Sequence, residues 1–172
     1  MGAWQIAQLN VGHVLYPVED PRMAGFTGRL DEINALADAA PGFVWRLQSD
    51  SGNATDILVS DDASFLVNMS VWETVEDLFR FVYRTAHQGV MAGRRQWFAR
   101  PDGPYQVLWW VPAGHRPTAE EALERLKLLE REGPTPFAFT FKKAFPPPGG
   151  AGTEAAGQPS DLEPDPWCVG WQ

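Results

Sequence analysis

Between Phe65 and Trp72 the chain alternates without a break. Phe65, Val67, Met69 and Val71 fall to one side, and Leu66, Asn68, Ser70 and Trp72 to the other. A period of two marks a strand with two different faces. Two residues on, Thr74 stands three before Asp77, the spacing of a capping box. It opens a helix whose apolar residues Val75, Leu78, Phe79, Val82, Ala86 and Val90 recur at helical spacing. A strand that passes straight into a long amphipathic helix cannot leave the apolar side of either one wet. The helix must fold back on a sheet, and the rest of the chain must supply that sheet.

It does so in order. Trp4 to Val11 reads as a strand. A segment punctuated by Pro17 and Pro21 leads into a helix with the stripe Phe26, Leu30, Ile33, Leu36 and Ala37, which Pro41 and Gly42 end. Phe43 to Gln48, Ile57 to Val59, Tyr105 to Val111 and Phe137 to Phe141 read as further strands. Thr118, with Glu121 three residues later, caps a helix from Ala119 to Arg131 that Gly133 and Pro134 stop. The order β-α-β-β-β-α-β-α-β, with hairpins between neighbouring strands, predicts an α+β protein. The expected core is a ferredoxin-like antiparallel sheet covered by helices on one face. This domain is expected over residues 1–145. Residues 146–172 are rich in Pro, Gly and Ala, hold little apolar surface to offset the entropy of ordering, and are expected to form a flexible tail. Within that tail the closing WCVGWQ is unusually aromatic.

Charge and cysteine use narrow the function classes. The net charge is −8, and the one dense basic cluster is Arg94-Arg95. Phosphate backbones call for clustered cations, so nucleic acid is not an expected partner. One cysteine, Cys168, excludes an internal disulfide framework and fits a reducing compartment. The start of the sequence has no basic, apolar leader, and no run is long enough to span a bilayer. A cytoplasmic protein without a membrane partner is the expectation.

The strands' second faces carry the chemistry. They present Gln8 and Asn10, Arg46 and Gln48, Asn68, Ser70 and Trp72, then Gln106 and Trp110. A solvent-facing sheet favours Lys, Glu and Thr. Amides, an arginine and large aromatics instead suit a mostly apolar pocket with a few fixed polar groups. The alternative is a sheet half covered by a partner subunit, its amides bonding one another. On the helix after Thr74, His87 stands with Arg80, Tyr83 and Arg84 and is flanked by Gly89 and Gly93. A lone helical histidine is more often structural than catalytic, but this one follows directly from the Asn68/Trp72 strand. His13 and His115 fall in loops, where ligand contacts gather. No His or Cys pair has metal-ligand spacing, so no metal site is expected. Hydrolase, kinase and nicotinamide-binding motifs are absent from the sequence. Arg94-Arg95 reads either as an anion site or as a solvated helix face.

The blocks WQIAQLNVG, GFVWRLQ, GNATDI, LVNMSVWE, RTAHQGVMAGRRQWF, LWWVPAGHRPT and GPTPFAFTF together resemble the bacterial domain-of-unknown-function 3291 family. That family is placed in the dimeric α/β-barrel superfamily with the antibiotic-biosynthesis-type monooxygenases. The resemblance implies a ferredoxin-like protomer paired with a second copy, with a pocket between sheet and helices. Haem-degrading members of the superfamily use an Asn near the end of the first strand, a Trp and a helical His. Asn10 and His87 match two of these. The Trp has no clean counterpart, because the helix offers Phe79 and Phe81 while Trp72 is on the strand before it. Other members oxidise electron-rich aromatics without a cofactor, roles that Asn10, Asn68 and Trp72 suit.

The implied activity is therefore monooxygenase-like, on a hydrophobic or aromatic small molecule, with either haem or no cofactor. Asn10, Asn68 and His87 are the catalytic candidates, with His87 also the cofactor ligand. Trp72, Tyr83, Arg46, Trp110 and His115 are the substrate-binding candidates. A non-catalytic ligand- or haem-binding barrel and a cyclase or isomerase are the alternatives. A homodimer is expected, because a sheet face carrying Trp72 and Trp110 is too apolar to stay wet.

Overall fold

The computed structural model describes residues 3–55, 57–84 and 93–150. Its centre is one antiparallel sheet of four strands: β1 (Trp4–His13), β2 (Phe43–Arg46), β3 (Phe65–Trp72) and β4 (Gln106–Pro112). Their order across the sheet is β2-β3-β1-β4. With β1 antiparallel to both β3 and β4, and β2 antiparallel to β3, this is the ferredoxin-like split arrangement. Register pairs Ile6 with Trp72 and Trp110, Gln8 with Ser70 and Leu108, and Asn10 with Asn68 and Gln106. These residues therefore share one face.

Helices form where the sequence signals them. The first helical segment is a 3-10 turn (Pro21–Met23), then α1 (Ala24–Thr27) and α2 (Leu30–Asp38). The expected single stripe is thus split. A Cβ on Gly25 would lie 2.8 Å from the Trp97 ring, so that glycine makes room for a buried indole. Phe26 and Ala37 are buried, but Leu36 faces solvent. Next comes α3 (Val75–Arg84), where Thr74 Oγ1 accepts from the Asp77 backbone N (3.0 Å) and donates to Asp77 Oδ2 (2.7 Å). Finally α4 spans Ala119–Glu132, capped by Thr118 Oγ1 accepting from Glu121 N (3.1 Å) and ended by Gly133 at φ 71°.

Two apolar layers sandwich the sheet. Ile6, Trp72 and Leu108 pack with Ala37 of α2 and Leu78, Phe81 and Val82 of α3, and with Phe139 and Phe141 from the C-terminal segment. On the opposite face Ala7, Leu9, Val67, Met69, Val71 and Trp109 pack with Ala122 and Leu129 of α4. Helices α2 and α3 thus share a face as expected, while α4 lies on the other. This changes the case for a dimer. Trp72 is 1% exposed, and the Trp110 indole N–H donates to the Phe145 carbonyl (2.8 Å), so the chain covers this face itself.

Two expected strands do not form. Residues 57–59 are irregular, with Leu58 66% exposed. Residues 137–141 meet the sheet only through an isolated pairing of Phe139 with Leu108, bonded both ways at 2.8 and 2.9 Å. Strand β2 is shorter than expected and carries an irregularity between Phe43 and Trp45. Gly93 is needed for space: a Cβ there would come within 2.6 Å of the Trp97 ring. Arg94 is buried beside the Tyr105 ring (5.0 Å), so it is no solvated helix residue, whereas Arg95 is exposed.

Asp20 closes the loop before α1. Its carboxylate accepts from Arg22 Nε (2.9 Å), Arg22 Nη2 (2.8 Å) and the Arg22 backbone N (2.9 Å). The Arg22 side chain, then its backbone N–H, hold the Asp20 pKa down at about 2. A lowered folded value favours the folded loop above roughly pH 4, an advantage lost as pH falls through the folded value. A carboxyl-carbon NMR titration should therefore find the Asp20 midpoint near 2. Arg22→Ala should return that midpoint to the ordinary carboxylate range.

Candidate functional site

A pocket lies between the outer half of the sheet and α2. Phe43, Asn68, Ser70 and Trp72 form its sheet side, Leu30 and Ile33 its helix side, and Asn53 to Thr55 a third wall. Its empty volume is about 890 Å³, including open solvent at the mouth. Aromatic packing shapes the inner end: the Trp72 ring meets Phe43 edge-on at 5.3 Å and lies tilted against Phe81 at 5.0 Å.

Strand alternation puts a chain of amides and hydroxyls beneath this pocket. Asn10 Nδ2 donates to Gln8 Oε1 (2.8 Å). Gln8 Nε2 donates to Ser70 Oγ (2.9 Å) and to Asn68 Oδ1 (3.2 Å). Trp72 Nε1 also donates to Ser70 Oγ (2.8 Å). Gln8 and Asn10 are completely buried. Bonding capacity decides what remains for a ligand. A serine hydroxyl accepts two bonds and donates one. Both acceptor positions of Ser70 are taken, so only its proton is left. The Asn68 carbonyl oxygen accepts one bond, from Gln8, and its NH₂ group has no partner among the described residues. The polar floor of the pocket is therefore richer in free donors than in free acceptors and suits a ligand oxygen that accepts.

At the far end of the chain two buried atoms have no partner among the described residues. These are Asn10 Oδ1 and Gln106 Nε2, on side chains that face one another across β1 and β4. Unpaired buried polar atoms are rare enough to need a reason. Here they mark the end of the polar chain on the β4 side of the sheet.

The other candidates divide clearly. Asn68, Trp72 and Arg46 line the pocket, and Asn10 reaches it only through Gln8. Arg46 is an anchor: its Nε and Nη2 bond Asp38 (2.8 and 3.2 Å) and its Nη1 bonds the Gly52 carbonyl (2.7 Å), tying α2 to the 49–53 turn. Tyr83 stacks with Phe79 (4.4 Å) and Phe141 (5.9 Å), away from the pocket lining. Trp110 belongs to the β4 edge. His115 is exposed and pairs with Glu121 (2.8 Å), whose other oxygen accepts from the Trp109 indole (3.1 Å). His13 is also exposed, beside Asp62 and Ser64. His87 lies outside the described residues. No group of three His, Cys, Asp or Glu side chains able to hold a metal occurs among the described residues.

Three contributors escaped the sequence reading. Asn34 Nδ2 donates to Asn53 Oδ1 (2.6 Å), closing the wall, and Arg29 stands at the mouth. Their one sequence signal is position: Arg29 and Asn34 flank the Leu30 and Ile33 stripe.

With this geometry in hand, comparison with known proteins settles the lineage. The model of a domain of unknown function, DUF3291, matches residues 5–155. The chain belongs to this family. No curated protein matches significantly. Two solved structures show a distant likeness. SnoaB, a cofactor-independent oxygenase from Streptomyces nogalater, is 18% identical, covering 68% of this chain and 98% of its own, with a TM-score of 0.41. NE2512, a protein of unknown function from Nitrosomonas europaea, is 12% identical, covering 67% and 95%, with a TM-score of 0.42. At these values the likeness says nothing about single residues or chemistry. For this DUF3291 member the site rests on its own geometry. Among the described residues no helix is long and apolar enough to cross a membrane.

Proposed function

We propose that this protein is a monooxygenase-like enzyme that binds a hydrophobic or aromatic small molecule between its sheet and α2. The observation that carries the reading is the donor-rich polar floor, Asn68 NH₂ and the Ser70 hydroxyl, set beside the aromatic walls of a mostly apolar pocket. Oxidation of an electron-rich aromatic begins by raising electron density on its ring, as loss of a phenolic proton does. Fixed donors aimed at the resulting oxygen stabilise that charge, and do so most in a site from which water is excluded. Asn68 and Ser70 hold the substrate oxygen, Trp72, Phe43 and Phe81 enclose the ring, and Gln8 keeps both donors in place. Asn10 and His87 complete the candidate catalytic set, Asn10 through its bond to Gln8.

Haem does not enter this reading. The described pocket lining offers no imidazole, and His13 and His115 stand outside it. A non-catalytic binder remains the second reading, because the same pocket holds a ligand without altering it. The homodimer implied by the resemblance belongs to the proposal too, and would use a surface other than the covered Trp72 face, such as the open edge of β2. Sedimentation velocity at micromolar concentration checks it.

The direct test is native mass spectrometry of protein purified without added ligand, followed by oxygen uptake with the recovered compound or a panel of hydroxynaphthalenes. Uptake with conversion of the phenol to its quinone is the expected result: the product gains one oxygen and loses two hydrogens, and the second oxygen atom of O₂ leaves as water, so the substrate itself supplies the electrons. A ligand recovered unchanged, without uptake, would favour the binder. Failure of any aromatic to bind would remove the pocket from consideration.

A further inference from the structure

We propose that the pocket selects ligands carrying an anionic group at the end opposite the polar floor, with Arg29 at the mouth as the residue that sets this preference. The inference rests on the small-molecule reading above and refines its substrate class. The chain holds 22 acidic and 14 basic residues, yet no Asp or Glu lines the pocket, whose two charged lining residues are both arginines. Those arginines differ in availability. Arg46 has all three guanidinium nitrogens bonded to Asp38 and the Gly52 carbonyl, so its charge is already balanced. Arg29 is exposed: its backbone bonds Phe26 and Ile33, but its guanidinium has no hydrogen-bond or ion-pair partner among the described residues.

None of the nearby acids, Asp31, Glu32 or Asp38, is paired with it among the described residues. Asp38 is held by Arg46, and Asp31 lies outside the lining, its Oδ1 accepting from Asn53 Nδ2 (3.4 Å). Between mouth and floor the lining is apolar, with Leu30, Ile33 and Phe43 among its walls. A ligand that satisfies all three zones has an acceptor oxygen at one end, a flat apolar body, and a carboxylate or similar anion at the other. A neutral aromatic would fill the walls and leave the Arg29 charge in solvent.

6-Hydroxynaphthalene-2-acetic acid and its methyl ester test this by calorimetric titration at neutral pH, because they share the ring and the hydroxyl oxygen and differ only at the charged end. The expected result is two- to fivefold tighter binding of the acid, the range open to an exposed ion pair. Raising the salt concentration should shrink that preference. Arg29→Gln should erase it by weakening the acid alone, and Arg29→Lys should restore most of it. Because Arg29 is exposed, both variants should keep the wild-type melting temperature. Equal binding of acid and ester to the wild type, or a preference that survives in Arg29→Gln, would overturn the assignment while leaving the pocket reading intact. If neither compound binds, the pocket reading falls, and the anion preference falls with it.

Discussion

Asn68→Asp should lower the affinity for an aromatic carbonyl at least tenfold while leaving the fold in place. Asparagine and aspartate are nearly isosteric, and the oxygen that accepts from Gln8 Nε2 (3.2 Å) is kept. What changes is the other arm. An NH₂ that donates into the pocket becomes a carboxylate oxygen that can only accept. A ligand oxygen against it would then meet a like partner and lose its hydrogen bond inside a largely dry site. Leaving a buried acceptor unsatisfied costs about 1–3 kcal/mol, and tenfold in affinity corresponds to about 1.4 kcal/mol. Naphthoquinone and naphthalene make the comparison, read by calorimetric titration. The quinone should lose affinity and the hydrocarbon should not. Equal losses would mean that the substitution damaged the pocket as a whole, and no loss for the quinone would mean that the floor does not hold an oxygen.

Much of this floor was legible because it lies on strands. Once Phe65 to Trp72 alternate, Asn68, Ser70 and Trp72 must share a face, and β3 has the bounds its pattern predicts. What alternation does not give is the hub. Gln8 was one amide among several until register set it opposite Ser70. Helix residues were harder. The α3 stripe omitted Phe81, which is buried because α3 lies over Trp72 and meets a wider apolar surface than its sequence stripe suggests. Arg29, Asn34 and Asn53 depend on how closely α2 approaches the 49–55 loop, a tertiary fact with no local period. The tryptophan argument for a dimer failed for a related reason. It counted apolar side chains on a face without knowing that residues 139–145 return to cover it.

That returning segment gives the largest stability effect. Phe137, Phe139 and Phe141 alternate like a strand, and a strand would turn all three rings the same way. The segment instead folds through tight pairings of Thr135 with Ala138 and Thr140 with Lys143, leaving only Phe139 bonded to β4. The three rings consequently part company: Phe139 is wholly buried, Phe141 is 5% exposed and Phe137 is 65% exposed. Phe139 packs against Trp110 (6.5 Å between ring centroids) and Phe145 (5.8 Å), at the edge of the layer that includes Trp72. Phe139→Ala should therefore destabilise the protein by about 3–5 kcal/mol, the cost of lost burial plus a cavity that cannot fully collapse. Phe137→Ala should change stability by less than about 0.5 kcal/mol. Urea unfolding followed by far-UV circular dichroism measures both. The contrast between the two variants decides the matter. Similar small losses would mean that residues 137–145 lie against the sheet without bearing on its stability, and Trp72 would then depend on some other cover.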